Sequence, residues 1–186
     1  MRTGEGKRGR EAGMPFAFVA YTAAGLLEGS VAGDGRLGDR LEAGDSIRLA
    51  GAVLQALDGS PPEAADAVEI PTDDLLLVVA PDDSLPPAHA AWHTVELVLG
   101  PYAVVGELPT LPGFDPARAL ARPGGQFVLL ARTHVQLAAA TGGGGVEHPL
   151  CWVNRYAVDE VRADLDLMLY FPGARTGAVA TGRPPG

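Results

Sequence analysis

The sequence predicts a mainly β protein: two tandem small bent-sheet β-barrel units, related by a pseudo-two-fold axis, each with one short helical turn. Three observations carry this. Apolar and polar residues alternate along most of the chain, as in Val95-Glu96-Leu97-Val98-Leu99, which is the period of a strand with one face in a core. The pattern occurs twice in the same order. A glycine interrupts an apolar strand at the same place in both copies, Gly29 and Gly106, which marks a bend or a close approach of another backbone.

The repeat is an ordered series of blocks. Gly29 aligns with Gly106 at an offset of 77. Ile47–Ala50 and Leu54-Gln55 align with Val128–Ala131 and Val135-Gln136 at 81, and Thr72–Val79 aligns with Asn154–Val161 at 82. The offset changes only where Gly, Pro, Asp and Ser crowd together, in loops that tolerate insertion. A unit of about 65 residues buries little surface alone, so the halves are expected to pack together.

Residues 1–13 are glycine-rich and basic, a composition that predicts disorder; Met14 is a second candidate start. The first unit spans residues 14–80. Phe16–Thr22 and Leu26–Ala32 make a hairpin around Ala23-Ala24-Gly25. Arg36–Leu41 makes a helical turn, with Leu37 and Leu41 on one face and Arg36 and Asp39 spaced to pair. Ser46–Leu57 is a long strand, and Val68–Ile70 and Leu75–Val79 are short closing strands. Residues 81–93 form a proline-rich linker. The second unit, 94–163, repeats the plan. Its hairpin turns at Pro101-Tyr102, Asp115 caps a helical turn over Phe114–Leu120, and Gln126–Ala138 and Pro149–Val153 are strands. Residues 164–171 alternate Leu165, Leu167, Leu169 and Phe171 with polar positions and read as an extra strand. Residues 172–186 read as a disordered tail.

Charge narrows the partners. The formal net charge is −9, and residues 1–13 hold four of the 14 basic groups against two of the 23 acidic ones, leaving −11 on the rest. That balance argues against nucleic acid. No apolar run is long enough for a membrane-spanning helix. The basic start followed by Phe16–Leu27 has the outline of a signal peptide, but Tyr21, Thr22 and Gly25 interrupt it and the same run recurs as a strand in the second copy. Cys151 stands alone, so no internal disulfide forms, which suits a cytoplasmic location. It lies between Leu150 and Trp152 and reads as a buried, inert thiol.

No catalytic, cofactor or metal signature is present. His89 and His93 flank Trp92 without a third ligand, and His148-x-x-Cys151 is half a metal site without its other half. Asp73-Asp74 and Asp82-Asp83 sit at turns, and the run Gly142–Gly145 lacks the lysine and helix of a phosphate loop. The sequence therefore reads as non-enzymatic. Candidate ligand or interaction residues are Trp92, Tyr102, Trp152, Asn154, Arg155 and Tyr156; Gly29, Gly106, Arg36 and Asp39 are assigned structural roles.

The residues Tyr102-x-Val104-x-Gly106-x-Leu108, Phe127-x-x-Leu130 and Val153-Asn154-Arg155-x-x-Val158 resemble a small, functionally uncharacterised bacterial β-domain. That family pairs a Y-x-V-x-G-x-L hairpin with R-L-S-D-x-L-N and V-N-[KR]-x-x-I segments. Arg36-Leu37-Gly38-Asp39-Arg40-Leu41 supplies the middle segment in the first unit only, and Asn154-Arg155 the last in the second only. By fold analogy the strand order is similar to an Sm-like barrel, which implies no RNA binding here. The resemblance implies no known activity. Two functional expectations follow: a protein-interaction or assembly module, binding itself or another protein through open strand edges, or a small-ligand or sensory domain with a pocket between the repeats.

Overall fold

The computed structural model describes residues 14–33, 36–80, 89–113, 115, 124–140 and 144–177. The first unit runs β1 (Phe16–Thr22), β2 (Gly25–Val31), α1 (Leu37–Ala43), β3 (Ser46–Ala56), β4 (Glu63–Pro71), a 3-10 turn (Thr72–Asp74) and β5 (Leu75–Val79). The second runs β6 (Ala91–Leu99), β7 (Tyr102–Thr110), β8 (Phe127–Leu137), β9 (Gly145–Asn154) and β10 (Glu160–Ala163), followed by β11 (Arg175–Gly177). The helical turn expected over Phe114–Leu120 lies outside the described residues, as do residues 1–13. No helix among the described residues is long and apolar enough to cross a membrane.

All eleven strands belong to one sheet, ordered β11-β10-β6-β7-β8-β9-β5-β1-β2-β3-β4. The duplication is visible in that order: β5-β1-β2-β3-β4 in the first unit corresponds to β10-β6-β7-β8-β9 in the second. Registers agree as well. Phe18 faces Gly29 as Val95 faces Gly106, and Leu49 faces Val68 as Leu130 faces Cys151. Each β2-type strand breaks register against its neighbour at its glycine, between Glu28 and Ser30 and between Val105 and Glu107. Opposite each break sits a left-handed residue, Gly51 (φ 58°) in one unit and Arg132 (φ 48°) in the other.

Several expectations need correction. Two closed barrels do not form, because β5 pairs with β9 and makes the two units one open sheet. The pseudo-two-fold relation also fails. A two-fold axis would match the pairing of β5 with β9 by a reciprocal pairing of β10 with β4, whereas β10 lies beside β11 and β4 ends the sheet: the contact is head-to-tail. The third block of the repeat is shifted by one. Ile70 faces Ile47 as Val153 faces Val128, so the offset is 83, Thr72 falls on Arg155, and Pro71 falls on Asn154. Residues 164–171 are not a strand. Tyr170 and Phe171 both donate their amides to the Leu167 carbonyl at 2.9 Å, and Leu167 and Phe171, four apart, are the buried pair of a turn. The strand of this region is β11, inside the stretch read as a tail; it lies parallel on β10. The linker is also shorter than expected, since Trp92 and His93 belong to β6.

Two apolar cores lie along the sheet. The first gathers Phe18, Leu27, Val31, Leu49, Leu75 and Val78 beneath Leu37 and Leu41 of α1. The second gathers Val95, Leu97, Leu99, Leu130, Val153 and Val161, covered by Leu167 and Phe171. Arg36 precedes α1 as its N-cap residue, and it forms no ion pair with Asp39 among the described residues. The anchoring cation is Arg40, which donates to the Ala32 carbonyl at 3.0 Å.

Both strand glycines are places of close backbone approach. A Cβ on Gly29 would lie 3.3 Å from the Ala50 carbonyl oxygen and the Leu49 Cβ, and one on Gly106 would lie 3.4 Å from the Ala131 carbonyl oxygen and Leu130 Cδ1. The space beside Gly29 is tighter than an ordinary Cβ contact and that beside Gly106 just admits one, so the γ branches of valine would press on the facing strand at both positions. Gly106→Val and Gly29→Val should each destabilise by about 2 kcal/mol, above the ~1 kcal/mol centre of ordinary substitutions. In urea melts both should lose more than Gly124→Ala, where a Cβ meets nothing within 4 Å; equal losses would show that the glycines are incidental.

Candidate functional site

The site is defined by comparing two edges that the duplication makes equivalent: β9 in the second unit, which is occupied, and β4 in the first, which no strand among the described residues occupies.

At the occupied edge, Leu77, Val78 and Val79 of β5 face Val153, Trp152 and Cys151 of β9. The Ala80 amide extends the ladder to the Leu150 carbonyl at 3.0 Å. Asn154 closes the end of the seam. Its side-chain amide donates to the Leu75 carbonyl at 3.2 Å, and its oxygen accepts from the Tyr156 amide at 3.1 Å. Strands β1 and β5 serve both cores. Ala20 and Val78 point into the first, while Tyr21 and Leu77 point into the second, where Cys151 and Val153 are fully buried. Burying a side chain such as Leu77 or Val153 contributes roughly 1.5–3 kcal/mol.

Tyr21 carries the polar part of this seam. Its ring meets Tyr102 edge-on at 5.1 Å, and its hydroxyl lies 2.8 Å from His148 Nε2. Burial pushes the Tyr21 phenol up to about 12 and holds His148 below its ordinary 6.5. Burial likewise pushes the Cys151 thiol up to about 12, so it stays protonated at neutral pH and is a poor nucleophile. His148 and Cys151 belong to no cluster of three or more metal-binding side chains among the described residues.

The open edge looks different. Glu63–Ala67 are exposed, and Val68 and Ile70, which correspond to Cys151 and Val153, are only half-buried. Beside β4 lies a 640 Å³ cavity floored by Leu27, Ala52, Leu54, Val68 and Ile70, with Thr22, Ala23, Ala24 and Leu76 at one side. In the second unit the corresponding place receives Tyr21 and Leu77; here nothing among the described residues occupies it. Four carboxylates line the cavity, Glu63, Glu69, Asp73 and Asp74, and no lysine or arginine among the described residues does. Ser46 donates to Glu69, and Gln126 donates to Asp73 at 2.8 Å, which fixes part of this rim. In an antiparallel ladder the amide and carbonyl of one residue point the same way. Leu150 turns its carbonyl to β5, so its counterpart Ala67 turns its amide and carbonyl away from β3, into solvent.

The six candidate residues do not meet in one pocket. Tyr102 is buried at the seam. Trp152 packs into the first core, and a Cβ on Gly38 of α1 would lie 2.8 Å from its ring. Asn154 is the seam fastener already described. Arg155 is 4% exposed and donates Nε to the Tyr170 carbonyl at 2.8 Å and Nη2 to the Leu169 carbonyl at 3.0 Å, strapping the C-terminal turn over the second core. Trp92 is exposed in β6 beneath the Arg132 guanidinium, 4.9 Å from its ring, and Arg132 also pairs with Glu107. Tyr156 is exposed beside Arg155. Sequence reasoning expected open strand edges but did not place this one. Its signals were the acidic residues of β4 and the proline at the position of Asn154, but neither is legible until the register is known.

No family model, no curated protein and no solved structure matches the chain.

The His148 environment sets a pH dependence. The unfolded chain takes a proton near 6.5 while the folded seam resists it, so stability is full above that value and falls as pH drops through the lower folded value. Urea melts at pH 7.5 and pH 5.0 should show the wild type losing more stability on acidification than His148→Gln; equal losses would place the acid sensitivity elsewhere.

Proposed function

We propose that the protein is a non-enzymatic interaction module that takes an extended segment of another protein onto the β4 edge by strand addition. One observation carries this reading. The chain completes the fourth-strand edge of its second unit with a strand and two inserted side chains, and leaves the equivalent edge of its first unit open beside an apolar cavity. Main-chain hydrogen bonds from such an edge supply affinity, and the cavity supplies side-chain selection.

A second reading is favoured by the seam itself. A 290 Å³ cavity lined by Tyr21, Gln55, Tyr102 and Gln136 lies between the units, and the buried Tyr102 hydroxyl has no partner among the described residues. A small hydrogen-bonding ligand would suit that place. The β4 edge ranks first because its cavity is more than twice as large and an unpaired strand lies beside it.

The test is photo-crosslinking in the native host, with a benzophenone amino acid at Ala65 on the edge and at exposed Arg48 as control. Adducts to another protein should form from position 65, be absent from position 48, and disappear when Ala67→Pro is added. That proline removes an outward amide without touching the β3 ladder. Adducts that persist with Ala67→Pro, or none from position 65, would contradict the reading.

A further inference from the structure

We infer that the segment accepted at the β4 edge is a basic one: an extended strand that places aromatic or branched aliphatic side chains in the cavity and lysine or arginine around it. This rests on the strand-addition reading above and specifies the partner.

The apolar half of the inference comes from the seam. There the occupant of the equivalent place presents Tyr21 and Leu77, side chains sized for a pocket floored by Val153 and Cys151. The first unit offers Ile70 and Val68 at those positions, with Leu27 and Leu54 behind them, an apolar floor of similar character. A strand alternating apolar and polar residues puts every second side chain into it.

The basic half comes from the rim. Four carboxylates, and no cation among the described residues, line the cavity, in a chain whose residues 14–186 carry a formal charge of −11. Such a field repels acidic segments, attracts basic ones, and acts mainly on association rate and salt dependence.

A second copy of the chain is a poor occupant, for three reasons. In a head-to-tail repeat of the seam, β10 would take the part of β5. Glu160 stands where β5 has Leu77, and Val98 stands where β1 has Tyr21. Repeating the seam would set the Glu160 carboxylate against Ile70 within an already acidic rim. The β10 edge is also covered: β11 pairs along it, and Arg162 and Arg175 hold Glu160 at 2.6 and 3.5 Å. Pro71 takes the place of Asn154, so the amide that fastens the seam has no counterpart on β4.

The experiment uses the full chain and three synthetic ten-residue probes, read by fluorescence anisotropy. Each probe has a core alternating threonine with tyrosine and leucine. One is flanked by two lysines at each end, one by two glutamates, and one is the lysine probe with backbone N-methylation that blocks the ladder. The lysine probe should bind at least tenfold more tightly than the glutamate probe at 50 mM salt, and the gap should shrink at 500 mM. N-methylation, or Ala67→Pro in the protein, should remove its binding, and Glu63→Lys with Asp74→Lys should reverse the preference. Equal binding of the lysine and glutamate probes, lost with Ala67→Pro, would overturn the basic partner and leave strand addition standing. Lysine-probe binding that survives N-methylation and Ala67→Pro, or no binding of either charged probe at millimolar concentration, would overturn both. Concentration-dependent oligomers in native mass spectra, abolished by Ala67→Pro, would make a second copy the occupant and overturn the inference.

Discussion

The pairing of β5 with β9 is the contact on which the rest of the molecule depends. Without it the first unit would end in a strand whose Leu77 faces water, and the second unit would have Cys151 and Val153 at an open mouth. With it, β1 and β5 are covered on both faces, one by each core. That is why Leu75–Val79 is an unbroken apolar run rather than an alternating one. Units of this size are marginal alone, and the seam joins them by sharing strands instead of merely apposing surfaces. Asn154 and the Tyr21–His148 contact set its register with directed hydrogen bonds.

A head-to-tail seam has a geometric consequence. The same surfaces recur at the two ends of the molecule, and a chain that repeated them faithfully would polymerise. The two ends have been treated differently. At β10 the apolar residues of β5 are replaced by Glu160 and Arg162, the edge carries β11, and Arg155 straps the following turn across the core. A buried guanidinium is costly unless its donors are met, and here backbone carbonyls of residues 169 and 170 meet two of them. At β4 no strand follows among the described residues, and there the edge carries acidic side chains and Pro71, which are weaker barriers. Among the described residues one end is covered by a further strand and the other is not.

Much of this was legible in the sequence because its signals are local. Alternation placed most strands, and Gly29 and Gly106 marked the two bulges because each strand runs close beside the Ala50 or Ala131 carbonyl there. Leu37 and Leu41 placed α1. What failed was set by pairing across the chain. The third block slipped by one residue because apolar strands such as Val68–Ile70 and Cys151–Val153 look alike at either offset, and only their partners Ile47 and Val128 decide. Residues 164–171 alternate like a strand, but the neighbouring β10 edge is taken by β11, and Arg155 takes the Leu169 and Tyr170 carbonyls that a ladder would need. The open edge required both the register and the seam to be known, so its acidic rim read only as solvated loop ends. One local signal was overlooked: Gly51 and Arg132 share the offset of 81 and the same left-handed backbone.

Hydrogen exchange of the intact protein tests the seam most directly. Amides that open only with global unfolding should include those of Leu77–Val79 and Cys151–Val153, at protection equal to the centres of β1 and β8, while the outward amide of Ala67 exchanges fastest within β4. Exchange of the β5–β9 amides at a lower free energy than the centres of both units would show that the seam parts before either unit unfolds. The two units would then be separate domains in contact, and the shared-strand account would be wrong.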